Sequence, residues 1–210
     1  MTFSLPSRDS RVTKAEQAAL EKKLNALLAR AHDSASAEPD PSLQHQLGDV
    51  YTELHRGPEA LAAYGKAIDG FLAAGKASVV AVVCSKVIKR YPTVTRTHFT
   101  LACCLLHAGR VDDALQALDA YTRATLRSNT TGLAIPRLRF LTEVFTESEV
   151  RQRLAGMLAR VGDDQAERIA QGNPPVHAAN LAPEKRRELF LEMATWGSDA
   201  LWSGYWLRGG

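Results

Sequence analysis

No stretch of the chain approaches the ~20 consecutive apolar residues that a membrane-spanning helix needs, which argues against an integral membrane protein. The start, Met1 to Asp9, places no apolar core behind a basic head, so a secretory signal is not expected. Cysteine is scarce: Cys84, Cys103 and Cys104 are an odd number with two adjacent, no basis for a disulfide framework. Charge of one sign is missing too, because 26 Lys and Arg face 23 Asp and Glu, and the net +3 is too small to imply nucleic acid. Nor is there a nucleophile elbow, a phosphate-cradling glycine loop or a zinc-protease helix. The histidines at 32, 45, 55, 98, 107 and 177 show no catalytic spacing. These absences predict a soluble, cytoplasmic protein with no cofactor, no metal and no chemistry of its own.

What the chain does contain is a repetition. Gln44, Leu47, Gly48, Tyr51, Ala60, Tyr64 and Ala67 recur as His98, Leu101, Ala102, Leu105, Ala114, Leu118 and Tyr121, each shifted by 54 residues. Fixed-period self-similarity is the signature of a helical array, whose units bury their apolar faces against one another. Breaks at Gly57-Pro58, Gly75, Tyr91-Pro92 and Gly109 predict helices near 42–54, 58–74, 77–91, 95–107 and 111–127. A shift of 54 leaves room for one extra helix, around 77–91, between two full pairs, so the array holds about two and a half repeats.

Extensions flank the array, which occupies 41–128. Residues 1–40 read as a leader and one helix, opened by Thr13 with Glu16 completing a capping box and striped by Leu20, Leu24, Leu27 and Leu28. Ala35 to Pro41 reads as a linker. In residues 129–210 the periodicity lapses from Asn129 to Pro136. A helix is expected from Thr146, with Glu149 as a second capping box, to Gly162, and another from Pro183 to Thr195. Trp196 to Gly210 holds all three tryptophans.

Across 41–128 the spacing resembles the tetratricopeptide repeat: Leu47-Gly48-x2-Tyr51 followed by Ala60, Tyr64 and Ala67. The likeness departs from the family where Gln44 and His98 replace its frequent Trp, and where Ala102 and Leu105 replace Gly and Tyr. The resemblance implies an all-α antiparallel array that binds a peptide or protein partner in a groove lined by the first helix of each pair. Its contacts would then be His45, Asp49, Thr52 and Glu53, then Lys66 and Asp69 from the helix at 58–74, which would close the first pair and open the second, then Arg96, Phe99, Thr100, Cys103 and His107. One subfamily clamps the C-terminal carboxylate of chaperone partners with Lys, Arg and Asn. The matching places here are His45, Asp49, Arg96 and Thr100, so that clamp is mostly missing.

Three other clusters invite functional readings. Cys103 and His107 stand four apart on one helix beside His98 and Cys104, but a zinc site wants four ligands and would have to borrow Cys84; buried thiols that pack as small apolar groups explain the pattern better. Arg123, Arg127, Arg137, Arg139, Arg151, Arg153 and Arg160 form a basic stretch suited to phosphates, interrupted by Glu143, Glu147 and Glu149, and read as a solvated face. Leu201, Trp202, Tyr205 and Trp206 fall on one side of a helical turn, with Leu189, Met193 and Trp196 upstream. That tail would cap the array, dock a partner through Trp202, Tyr205 and Trp206, or touch a membrane surface. The reading reached is an adaptor, scaffold or assembly factor. Behind it stand a secretion-type chaperone and an accessory or regulatory subunit docked by the tail; a nucleic-acid binder using the arginines ranks last.

Overall fold

The computed structural model describes residues 13–33, 40–173 and 181–195, and the leader, most of the 35–41 segment and the aromatic tail lie outside them. Ten helices make up the described residues: α1 Lys14–Asp33, α2 Pro41–Glu53, α3 Gly57–Ala73, α4 Ala77–Arg90, α5 Thr95–His107, α6 Val111–Ser128, α7 Thr131–Val144, α8 Ser148–Arg160, α9 Ala166–Gln171 and α10 Pro183–Thr195. No strand occurs among them. This is an all-α array compatible with a helical repeat fold, and it parts into two compact units, residues 1–70 and 71–210.

In the first unit α1 opens as expected. The Thr13 amide donates to Glu16 Oε2 at 2.7 Å and the Glu16 amide to Thr13 Oγ1 at 3.2 Å. Leu24 and Leu27 meet Leu43, Leu47, Val50 and Ala63 in one core, whereas Leu28 is exposed. Pro41 is the first residue of α2 rather than linker, with Asp40 accepting the Ser42 amide at 2.9 Å; a first-turn proline gives up no hydrogen bond. Two glycines set the spacing of α2 and α3. A Cβ on Gly48 would stand 2.6 Å from the Tyr64 ring, and one on Gly70 would stand 2.9 Å from Pro41 Cβ.

Five helices end in the same way. His55, Gly75, Gly109, Asn129 and Gly162 have positive φ, and the next amide reaches back five residues in each case, as from Arg110 to the Leu105 carbonyl at 2.9 Å. Glycine adopts that conformation without strain, which is why the breaks at 75 and 109 were legible; His55 and Asn129 carry no such flag.

In the second unit α5 lies at the centre, packed by α4, α6 and α10, and nine of its residues are buried. Phe99 stacks at a tilt on Tyr121 at 5.3 Å, and the buried Arg137 of α7 lies over Phe99 at 5.0 Å while donating to the Tyr121 hydroxyl at 3.2 Å. The 54-residue correspondence survives as burial: Gly48, Ala60, Tyr64 and Ala67 are buried in the first unit, and Ala102, Ala114, Leu118 and Tyr121 in the second.

Two local expectations need correcting. The stretch 129–136 begins a helix, α7, although Pro136 lies inside it. Full burial of Ala134, Leu138 and Leu141 outweighs the hydrogen bond that proline removes. Further on, α8 begins at Ser148 behind Glu147, and the Thr146 amide donates to Glu147 Oε2 at 3.1 Å, so no Thr146–Glu149 box forms. Arg151 then ties the region together, donating to the carbonyls of Thr142 at 3.2 Å and of Gly172, at the end of α9, at 2.7 Å.

Candidate partner-binding groove

The groove residues expected from the sequence are divided between the two units. On α2 in the first unit, the Tyr64 hydroxyl donates to Asp49 Oδ1 at 2.7 Å, and Thr52 Oγ1 donates to the Gly48 carbonyl at 2.8 Å and reaches the Tyr64 oxygen at 3.4 Å. His45 Nε2 stands 3.8 Å from Asp49 Oδ1, its ring 5.9 Å from that of Tyr64. His45, Asp49 and Thr52 thus share one half-exposed face; Glu53, Lys66 and Asp69 are exposed.

In the second unit Phe99 and Thr100, expected as partner contacts, are buried. The face expected to line the groove packs onto α6 and α7, and α10 covers α5 as well. Arg96 is half-buried, close enough to Cys84 to bias its thiol. Trp202, Tyr205 and Trp206 lie outside the described residues.

His107 does reach a concavity, on the other side of α5. Between α4 and α5 runs an open groove of about 840 Å³ with Ala77, Ala81, Val82, Leu101, Cys104, Leu105 and Ala108 among its lining. Lys86 and Lys89 of α4 and Arg110 beyond α5 also line it, and no carboxylate does. Val82 is 67% exposed, the most exposed large apolar residue described. His107 Nδ1–H donates to the Arg187 carbonyl of α10 at 3.0 Å, so this side chain belongs both to the groove and to the seat of α10.

Sequence reasoning passed over α4 because the family pattern directs attention to the first helix of a pair. The signal was there: Ala77-Ser-Val-Val-Ala-Val-Val83 is apolar on more faces than one stripe requires. Val80, Val83, Cys84 and Val87 fill the core, and Val79 and Val82 are left facing out.

The three cysteines are buried. Burial pushes the Cys84 and Cys103 thiols up, and Cys104 to about 12, so they are protonated and poorly nucleophilic at neutral pH. No group of three or more His, Cys, Asp or Glu among the described residues is placed to hold a metal ion.

The basic stretch is mostly consumed by the fold. Arg123 and Arg160 converge on Asp119, Arg139 forks onto Asp163 (Nε to Oδ2 at 2.7 Å) and reaches Asp164 at 2.9 Å, and Arg153 pairs with Asp112 at 3.2 Å. Arg137 and Arg151 are buried. These pairs hold Asp119 and Asp163 below the usual carboxylate range against the opposing effect of burial; for Asp163 the hydrogen bond from Arg139 is the largest cause.

No helix among the described residues is long and apolar enough to cross a membrane. No protein-family model, curated protein or solved structure matches the chain.

Proposed function

We propose that this chain is a non-catalytic interaction module, a tetratricopeptide-like array that holds a segment of a partner polypeptide along the α4–α5 groove and serves as an adaptor, scaffold or assembly factor. The observation that carries the reading is the groove itself: an open channel floored by Leu101, Leu105 and small side chains, with Val82 uncovered at its edge. Uncovered apolar surface in a concavity is what partner segments occupy. The repeat assignment draws support from the equivalent buried positions 54 residues apart. The internal pairing of the arginines counts against a phosphate-binding role for that stretch.

Matched affinity captures from the native source test this, with the wild-type chain and Val82→Asp as baits. Val82 is mostly exposed, so the substitution leaves the fold intact, which circular dichroism checks. A partner recovered by the wild type and depleted with Val82→Asp is the expected result. Equal recovery on both baits sinks the groove reading.

A further inference from the structure

We propose that the occupant of the α4–α5 groove is an acidic amphipathic helix of a partner protein, about three turns long, a proposal that rests on the interaction reading above. The length follows from the lining. On α4 it runs from Ala77 through Ala81, Val82, Ser85 and Lys86 to Lys89, so thirteen positions rising ~1.5 Å each give roughly 18 Å. Ala77, Ser78, Ala81 and Ser85 are small, so a third helix can settle close between α4 and α5, its apolar side chains at i, i+3, i+4 and i+7 meeting Val82, Leu101 and Leu105.

The charge of the occupant follows from the walls. Lys86 and Lys89 stand toward one end and Arg110 at the other, and no Asp or Glu lines the space between. Arg110 also pairs with Asp113 at 2.7 Å. A helix with carboxylates flanking an apolar stripe matches both features, while one flanked by lysines would set like charges together. The groove has no Phe, Tyr or Trp on which a nucleobase could stack, and its one imidazole, His107, is tied to the Arg187 carbonyl, which separates this site from a single-strand platform. The chain's own segment 196–210 is a poor match, since its only charged side chains are Asp199 and Arg208.

The test uses two synthetic helical peptides of about 14 residues with one shared Leu/Ala stripe, flanked by Glu in one and by Lys in the other, titrated by fluorescence anisotropy into the full chain. The Glu peptide is expected to bind at least roughly tenfold more tightly, Lys86→Glu with Lys89→Glu should invert that order, and Val82→Asp should abolish both signals. Equal affinities that remain sensitive to Val82→Asp overturn the acidic preference and leave the groove standing. Binding indifferent to Val82→Asp, or none from either peptide, overturns the helix proposal; the capture experiment then decides the interaction reading by itself. A dimer dispersed by Val82→Asp, or tighter peptide binding once 196–210 are deleted, would make a second copy or the tail the occupant and overturn it likewise.

Discussion

One absent methyl group, at residue 48, governs how closely α2 and α3 approach. The Tyr64 ring fills the space a Cβ would need, and its hydroxyl is pinned to Asp49 at 2.7 Å, so the ring cannot swing clear at low cost. Gly48→Ala is therefore expected to destabilise the chain by about 1–3 kcal/mol in urea unfolding. Gly65→Ala on α3 is the contrast: nothing lies within 4 Å of its Cβ position, and relieving helix-interior glycine should leave stability unchanged or raise it by about 0.5–1 kcal/mol. If both substitutions act alike, the close crossing is not what Gly48 provides. His98 makes a pH prediction. Burial lowers its pKa below the ordinary 6.5, Arg127 and Arg123 of α6 act in the same direction, and the bond from Nε2–H to the Pro92 carbonyl at 2.9 Å opposes them. With the folded pKa depressed, the unfolded chain binds the proton first. Stability is then complete above about 6.5 and declines as pH falls toward the folded value. His98→Gln keeps a donor and removes the titration. The wild type minus variant difference in unfolding free energy should thus shrink as pH falls through this window, and a difference independent of pH contradicts the burial argument.

At the scale of elements, what was legible in the sequence was local. The breaks around Gly75, Gly109 and Pro92 placed α4 and α5 to within a residue, and Thr13 with Glu16 marked the start of α1. Failures came where tertiary burial overruled local chemistry. Gly132 and Pro136 read as a loop, yet Leu138 and Leu141 bury completely and draw the segment into α7. The seat of α10 could not be foreseen at all, because His107 meets Arg187 across 80 residues and no periodicity encodes such a pairing. Phe190 anchors that seat, stacked on Phe145 at 5.5 Å beneath Arg186, which pairs with Glu147 at 3.1 Å. Phe190→Ala should cost about 3–5 kcal/mol, read as a lowered urea midpoint at unchanged helix content in native buffer. An unchanged midpoint would mean that α10 contributes little by docking on α5 and the α7–α8 turn.

At the scale of the whole molecule, the 54-residue spacing of the array suggested a mode of action, and the groove we propose as its site lies away from the residues the resemblance implied. First-helix residues such as Phe99 and Thr100 are spent on the core of the second unit, while α4, the extra helix between the two full pairs, carries the uncovered valines and lysines. The arginines from 123 to 160 hold α6, α7 and α8 together. Partner binding should accordingly lose affinity only modestly between about 50 and 200 mM salt, far less than the ~10³-fold or greater fall typical of many phosphate contacts; a fall of that size by anisotropy would return the nucleic-acid reading to the front. The most direct measurement is amide hydrogen exchange on the chain alone and in complex with the captured partner. The account expects added protection across residues 77–89 and 101–110 in the complex. Protection confined to the α2 face at 42–53, with α4 and α5 unchanged, would contradict it.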